Sequence, residues 1–295
     1  MTAVDNNKPL IVILGPTASG KSELAMRLAE RWSGEIICAD SRTVYRELDI
    51  GTAKPSMEDQ SRIPHWGLDL VEPGERYTAA RFKAYATHVI DDIRQRHHIP
   101  FLVGGTGLYI DGVLFDYEFD HSYIPDLRQE LEGFSIEELH LRCVELNIPL
   151  PENSRNKRHL IRAIERKGVS TKRHTTPRED AIVVGIATED DILRTRIAYR
   201  AEQLFENGVV EEAIMLGEKY GWDNEALTGS IYPIVHQYIE GLITKSQCIE
   251  LFRISDWHLV KRQRTWFRRN HHIHWCGVSD AEKYISHRIA RLNKA

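Results

Sequence analysis

A short glycine-containing loop constrains the fold of this chain more than any other feature. Residues 15–22 read GPTASGKS and fit the pattern G-x-x-x-x-G-K-[ST]. The loop follows the apolar run PLIVILG at 9–15 and leads into SELAMRLAERW at 22–32, whose apolar residues repeat at helical spacing. Strand, loop and helix in this order are the context in which the pattern holds phosphates. The segment predicts a parallel α/β sheet with a phosphate-binding loop at one edge.

Further buried strands extend this pattern. EIICAD at 35–40 and IPFLVGG at 99–105 read as strands, and a long amphipathic helix occupies 78–98 between them. Gly34 is expected to end the helix at 22–32. Strands that alternate with helices in this way predict a parallel sheet with right-handed crossovers.

The second half of the chain changes character. Residues 117–178 carry helical patterns without a buried strand, whereas AIVVGIAT at 181–188 and the helix that stops at Asn207-Gly208 return to the α/β pattern. The predicted fold class is α/β: a P-loop parallel sheet flanked by helices, with a helical insertion domain and a mostly helical C-terminal part. The predicted domains are 1–116, the first part of the core; 117–178, the insertion; and 179–295, which completes the core and ends in basic helices.

Charge is unevenly distributed in this mildly acidic chain. The net charge is −4, yet residues 152–174 hold eight Lys or Arg against two Glu, and residues 253–269 hold six against one Asp. Two basic stretches indicate localised contact with a polyanion, although solvated helix faces would give the same pattern.

Composition excludes several protein classes. The longest apolar run, LIVIL at 10–14, is far short of a membrane span, and the N-terminus lacks a signal-peptide pattern. The four cysteines have no CxxC spacing, which argues against disulfides and zinc. HHIHW at 271–275 offers two histidines on one side of a strand but no third ligand, so a solvated strand edge is favoured. We expect a cytoplasmic monomer without a membrane partner.

The loop chemistry points to a diphosphate and a metal ion. Gly15 and Gly20 permit the tight backbone path that turns amides toward phosphate oxygens, Lys21 adds a point charge, and Ser22 is a candidate ligand of Mg²⁺. A nucleoside triphosphate and a prenyl diphosphate both present such a group. Asp40 follows the second strand and faces the same crevice, where it could serve a metal site, act as a general base, or cap a turn.

Further motifs in order along the chain carry a specific resemblance. With GPTASGKS come ADSRTVYRELDIGTAKPS at 39–56, IPHWGLDLVEP at 63–73, LVGGTGLYIDGVL at 102–114 and KRQRTWFRR at 261–269. The set resembles the tRNA dimethylallyltransferase family, also called tRNA isopentenyltransferases, over nearly the whole chain. The resemblance implies transfer of a dimethylallyl group from dimethylallyl diphosphate to the exocyclic amine of an adenosine beside the tRNA anticodon, with Mg²⁺ as cofactor.

The resemblance also implies roles for individual residues. Asp40 takes the amine proton, and Lys21 and Thr17 complete the catalytic set. The residues implied to bind the donor diphosphate are Gly15, Pro16, Thr17, Ala18, Ser19, Gly20, Lys21, Ser22, Arg196 and Arg200. The residues implied to bind tRNA are Asp40, Ser41, Arg42, Thr43, Thr106, Arg128, Arg158, His159 and Arg162. The insertion and the basic C-terminal helix would bind the anticodon arm through its phosphates and shape. Trp266 and Phe267 would either stack on RNA bases or pack into the protein core.

Departures from the family pattern lie on the expected tRNA side or on the helices near it. His159 stands where the family usually has arginine. Thr43 replaces a frequent glutamine, and Glu47 replaces a frequent glycine. Ile231-Tyr232-Pro233 replaces the usual Gly-Tyr followed by a basic residue, and Asp256-Trp257 replaces the usual Thr-Arg. The donor motifs are intact. Three alternatives stay open: an isopentenyltransferase acting on free adenine nucleotides, a P-loop small-molecule kinase, and an RNA-binding protein without activity.

Overall fold

The chain forms two compact units. A computed structural model describes residues 8–119, 125–168, 174–229 and 231–292. The first unit combines Met1–Leu114 with Thr176–Ala295, and the second is Phe115–Thr175. The second unit is therefore inserted between two halves of the first.

A parallel sheet organises the first unit. Its strands within the described ranges are β1 (Leu10–Leu14), β2 (Gly34–Ala39), β3 (His65–Trp66), β4 (Ile99–Gly104), β5 (Ala181–Ile186) and β6 (His274–Cys276). They lie in the order β3-β2-β4-β1-β5-β6, and every pairing is parallel. The predicted strands are confirmed. The short β3 was not foreseen, since two residues give no periodicity.

Helices cover the sheet and build the second unit. In chain order they are α1 (Lys21–Trp32), α2 (Met57–Arg62), α3 (Ala79–Gln95), α4 (Gly107–Leu114), α5 (Pro125–Gly133), α6 (Ile136–Glu145), α7 (Lys157–Glu165), α8 (Asp190–Glu206), α9 (Val209–Tyr220), α10 (Tyr232–Ile239), α11 (Lys245–Phe267) and α12 (Val278–Leu292). A 3-10 turn lies at Glu225–Thr228. Across the described ranges, no helix combines the length and the apolar character needed to cross a bilayer.

The end of α1 corrects one expectation from the sequence. Gly34 does not end this helix. Ser33 takes the left-handed conformation there, with φ of 51°. Gly34 is instead the first residue of β2, where a Cβ atom would overlap the ring of Phe101 on the neighbouring strand. The glycine is needed for close packing between strands rather than for a turn.

Apolar side chains fill both faces of the sheet. On one face, α1 contributes Leu24 and Leu28, and α12 contributes Ile285 and Ile289, to a continuous buried cluster with the strands. α3 packs beside α4, and the ring of Phe82 stacks on Tyr109 with centroids 4.2 Å apart. Because the strands at the centre are covered on both faces, they read as continuous apolar runs rather than alternating ones.

The second unit has its own small core. Leu131, Leu139, Cys143 and Leu160 are fully buried between α5, α6 and α7. A capping box at Ser135 fixes the start of α6. The three helices therefore form an independent cluster, as their amphipathic patterns predict.

A buried carboxylate ties the amino end of β2 to its neighbours. The Glu35 carboxylate is 2% exposed and accepts hydrogen bonds from Arg96 at 2.8 and 3.0 Å and from Trp66 Nε1 at 2.7 Å, while His98 Nδ1 lies 2.7 Å away. Burial alone would raise the pKa of the Glu35 carboxyl, but these hydrogen bonds together lower it. The cluster joins β2, β3 and the segment between α3 and β4.

Loss of this carboxylate is expected to destabilise the fold. Glu35→Gln leaves the buried partners without their anion and should lower the free energy of unfolding by about 3 kcal/mol near pH 7. Because the folded pKa is lowered, the stabilisation is fully present above the ordinary glutamate pKa and is lost as the pH falls from that value through the lower pKa of the folded state. Urea unfolding at several pH values checks both statements.

The matched control is Glu23→Gln, which removes an exposed ion pair with Arg27 and should change stability by less than about 1 kcal/mol. Equal effects of the two substitutions would refute the role given to Glu35.

Candidate active site

The carboxyl ends of three neighbouring strands bring the predicted site residues together. The loop Gly15–Gly20 follows β1, Asp40 follows β2, and Thr106 follows β4, which lies between those two strands. Ligands of open α/β sheets bind at this edge. The structure thus places the loop, Asp40 and Thr106 around one crevice, although long stretches of sequence separate them.

The loop presents an open helix end. Gly20 has a φ of 90° and precedes α1 without a side chain that caps the helix. Two loop amides are already used: Thr17 N donates to Gln263 Oε1 at 2.9 Å, and Ser19 N donates to the carbonyl of Pro16 at 3.3 Å. The amides of the first turn of α1 remain open to an anion, and the helix dipole there also favours negative charge.

Lys21 carries its charge in an enclosed position. Its ammonium donates to the carbonyl of Pro16 at 3.1 Å. Burial lowers the pKa of Lys21 to about 8; the positive charge of Arg200 acts in the same direction, whereas the carboxylates of Asp40 and Asp256 oppose the shift. A bound diphosphate would stabilise the charge that burial disfavours, so the lysine is suited to an anionic ligand.

Both candidate arginines of α8 lie against the loop. Arg200 Nη1 donates to Thr17 Oγ1 at 2.6 Å, and Arg196 Nη1 donates to the carbonyl of Ala18 at 3.2 Å. Arg200 is partly enclosed, while Arg196 is exposed. The sequence left open which of the two reaches the diphosphate. The geometry brings both to the loop and encloses only Arg200.

Asp40 is held by its own turn and keeps one oxygen available. Oδ1 accepts the backbone N–H of Arg42 at 2.8 Å, whereas Oδ2 accepts no hydrogen bond within the described part of the chain. Ser41 N donates to Thr106 Oγ1 at 3.0 Å, which links the end of β2 to the end of β4. The capping role considered for Asp40 is therefore real, and it leaves a second oxygen free for chemistry.

Residues next to Asp40 have mostly structural contacts. Arg42 Nη1 donates to the carbonyls of Glu225 and Ala226, at 3.1 and 3.4 Å. Thr43 is buried, with its hydroxyl 3.5 Å from the carbonyl of Asp40. Ser41 and Thr106 are partly exposed at the crevice. Ser41 and Thr106 therefore keep hydroxyl groups at the crevice, whereas Thr43 is buried and the Arg42 guanidinium is held by carbonyl groups.

The residues present fit a magnesium ion that is held mainly by the phosphates of a bound substrate. Ser22 is exposed in the first turn of α1, and its hydroxyl makes no hydrogen bond to any described residue. No cluster of three or more His, Cys, Asp or Glu side chains within the described ranges could hold a metal ion by itself. A hydroxyl beside an open phosphate loop is the donor set typical of Mg²⁺ shared with substrate phosphates.

The candidate tRNA residues of the second unit fall into two groups. Arg128 donates to Glu165 at 3.0 and 3.1 Å, and Arg162 donates to the same buried carboxylate at 3.2 Å. Arg158 and His159 are exposed on α7. The first pair is fixed within its own unit, and the second pair presents its polar groups to solvent.

Gln263 is a site residue that sequence reasoning missed. Its Oε1 accepts from Thr17 N at 2.9 Å and its Nε2 donates to the carbonyl of Gly105 at 3.2 Å. It therefore joins the phosphate loop to the segment after β4. Gln263 lies inside KRQRTWFRR, whose positive charge indicates contact with a polyanion and gives no sign of an inward-facing glutamine. The helical spacing of the buried residues Val260 and Phe267 was the signal that places Gln263 near the inner face.

Other residues of the same run also point inward. Trp266 Nε1 donates to Asp111 at 2.7 Å, Phe267 is buried, and Arg264 donates to Asp190 at 2.5 Å and to the carbonyl of Thr188 at 2.7 Å. Core packing, rather than stacking on RNA, accounts for the two aromatic residues. The exposed cations of this run are Lys261, Arg262, Arg268 and Arg269.

A second group that the sequence did not reveal holds the loop DIGTAKP at 49–55, called the DIGTAKP loop. The buried carboxylate of Glu212 accepts the backbone N–H groups of Asp49, Ile50 and Gly51 at 2.7–2.9 Å, together with the hydroxyl of Tyr232 at 2.8 Å. Burial raises the pKa of the Tyr232 hydroxyl, with the Glu212 charge acting in the same direction, so it stays a donor. Tyr232 therefore has a structural role in the segment where this chain departs from the family pattern.

Comparisons with known proteins agree with this geometry. The family model described as "IPP transferase" matches residues 43–270, and that described as "Isopentenyl transferase" matches residues 8–64. A "tRNA dimethylallyltransferase" of Anoxybacillus flavithermus is 36% identical over 282 residues, covering 92% of this chain and 91% of the relative. One of Gloeothece citriformis is 39% identical over 277 residues, covering 90% of each chain.

Solved structures show the same architecture. The full-length tRNA isopentenylpyrophosphate transferase of Bacillus halodurans superposes with a TM-score of 0.74 at 30% identity, covering 97% of this chain and 98% of that one. A eukaryotic dimethylallyltransferase acting on tRNA shares the fold, with a TM-score of 0.76 at 23% identity over 92% of this chain and 74% of that one. The match of sequence, fold and loop geometry places this chain in the IPP transferase family.

Proposed function

We propose that the protein transfers a dimethylallyl group from dimethylallyl diphosphate to the exocyclic amine of the adenosine adjacent to the anticodon in tRNA, releasing diphosphate. The observation that carries the proposal is the pairing, at one edge of the sheet, of an anion site with a carboxylate. The open end of α1 and the half-buried Lys21 form the anion site, and Asp40 with one free oxygen provides the carboxylate.

The donor half of the reaction needs a stabilised leaving group. The amides of the first turn of α1, Lys21 and Arg200 would surround the diphosphate, and Arg196 would add charge at the rim. These groups favour the negative charge that grows as the carbon–oxygen bond breaks. Ser22 would help to hold Mg²⁺, which would supply further charge neutralisation at the leaving diphosphate.

The acceptor half needs a base and access to the adenine. An exocyclic adenine amine is a weak nucleophile, and its proton must leave as the carbon–nitrogen bond forms. The free Oδ2 of Asp40 is suited to take that proton, while the N–H of Arg42 holds the other oxygen. The target adenine would leave its stack in the tRNA and enter the crevice, with Ser41 and Thr106 at the entrance. Arg158 and His159 are proposed contacts to the tRNA backbone.

Removing the Asp40 carboxylate tests this assignment. With labelled dimethylallyl diphosphate, Mg²⁺ and bulk tRNA, the wild-type protein should place label in tRNA. Asp40→Asn should lower kcat by about 10²- to 10⁴-fold, because the amide cannot accept the proton, with little change in donor affinity. Asp223→Asn is the control, since this exposed side chain makes no hydrogen bond in the described ranges.

Other outcomes would redirect the proposal. Label in free adenosine nucleotides but not in tRNA would identify the nucleotide isopentenyltransferase alternative. Thermal stabilisation by ATP without stabilisation by dimethylallyl diphosphate would favour the kinase. Full activity of Asp40→Asn would remove Asp40 as the base.

Donor binding should depend on pH through Lys21. Below pH 8 the ammonium is charged in the free protein, whereas above that value a proton must be taken up on binding. The dissociation constant of dimethylallyl diphosphate should therefore rise by up to about tenfold per pH unit above pH 8. Calorimetric titrations from pH 7 to 9.5 measure this rise. The Lys21→Met protein should bind dimethylallyl diphosphate weakly and without this dependence on pH. The comparison separates deprotonation of Lys21 from ionisation of the diphosphate itself. A parallel pH profile in both proteins would contradict the prediction.

Gln263 should stabilise the donor site by holding the phosphate loop to the segment after β4. Gln263→Met keeps the shape of the side chain but leaves Thr17 N and the carbonyl of Gly105 without their partner, so the loop is expected to shift and donor affinity to fall about tenfold. Gln237→Met, on the exposed side of α10, is the control. Unchanged donor affinity in a folded Gln263→Met protein would count against the bridging role.

A further inference from the structure

A buried carboxylate lies on α11 behind the phosphate loop, and the donor mechanism has not used it. Asp256 is 1% exposed. The resemblance drawn from the sequence implies threonine at this position, where this chain has a carboxylate. A fully buried carboxylate beside a pocket for a diphosphate repels the ligand and costs solvation energy, unless a nearby cation compensates for it.

Arg200 is that cation. Its Nη1 lies 3.8 Å from Asp256 Oδ2 and donates to Thr17 Oγ1 at 2.6 Å. The guanidinium is therefore held between the phosphate loop and α11. The N–H groups of a planar guanidinium point in fixed directions, so a contact on one edge determines where its other donors point.

Packing around this pair fixes the distance between α11 and the loop. Trp257 and the loop residue Ala18 pack against the same apolar cluster of Leu193, Ile197 and Val260. The guanidinium of Arg194 lies over the ring of Trp257, 3.8 Å from its centroid. Since α8 and α11 are packed together at this point, Asp256 cannot withdraw from Arg200 without a shift of the helices.

We propose that Asp256 is a positioning residue that holds the guanidinium of Arg200 in the orientation in which it binds the donor diphosphate. The inference rests on the proposed function, because it takes the occupant of the loop to be a diphosphate. Asp256 does not touch the ligand. It acts through Arg200, so its favourable effect on diphosphate binding exists only while Arg200 is present.

Binding of inorganic pyrophosphate with Mg²⁺ tests this dependence without requiring catalysis. Calorimetry would be carried out on the wild-type protein, Asp256→Asn, Arg200→Ala and the double variant. Asp256→Asn should weaken pyrophosphate binding about tenfold in the wild-type background, whereas in the Arg200→Ala background it should leave binding unchanged or tighten it, because the uncompensated carboxylate then only repels the ligand. Asp256→Thr, which installs the usual family residue, is the second variant in case the asparagine protein folds poorly.

Kinetics separate positioning from a general loss of stability. In Asp256→Asn, the KM for dimethylallyl diphosphate should rise about tenfold while the KM for tRNA stays unchanged, because only the diphosphate contact is altered. Glu250→Gln is the matched control on the same helix, where the carboxylate pairs with Arg253 on the surface. It should leave both values as in the wild type.

Three results would overturn the inference: equal effects of Asp256→Asn in both backgrounds, unchanged or tighter pyrophosphate binding in Asp256→Asn, or no pyrophosphate binding by the wild-type protein. A failure of the proposed function would differ from these. Pyrophosphate would then bind with the expected dependence on Asp256, while no prenyl group would reach tRNA or adenine nucleotides.

Discussion

Positive charge gathered at the start of α1 is the constraint on which the rest of the site depends. The first-turn amides have no capping side chain, Lys21 is enclosed, and Arg200 lies beside the same loop. These groups repel one another, so they can remain together only with carboxylates nearby. Asp40 and Asp256 supply that compensation. Under the proposed function, an incoming diphosphate would complete an arrangement in which the first-turn amides have no capping side chain.

Close backbone contacts keep this charge cluster in place. A Cβ atom at Gly104 would overlap the carbonyl of Ala39, one at Gly105 would overlap Gln263, and one at Gly107 would overlap the Trp266 ring. The glycines of GGTG therefore let α11 and the end of β2 approach the segment after β4. α11 therefore contacts the phosphate loop and the segment after β4, and the charge on its solvent side is a separate property.

Three of the departures from the family pattern have individual physical accounts. Glu47 has a φ of 64°, a conformation that suits the glycine frequent at this position, and its carboxylate pairs with Lys219 at 2.6 Å. Tyr232 donates to Glu212, which organises the DIGTAKP loop. Asp256 faces Arg200. These substitutions change contacts within the first unit, so they do not by themselves indicate a different acceptor.

The sequence by itself determined the strand, loop and helix of the phosphate site, because the glycines, the lysine and the apolar periodicity act over neighbouring residues. It also determined the helical character of the second unit and the candidate base at the end of β2. Only the tertiary structure decided which distant side chains meet the loop. Gln263 and Arg200 lie 246 and 183 residues from Thr17 along the chain. Their contacts depend on how α8 and α11 pack, and local periodicity does not encode that packing.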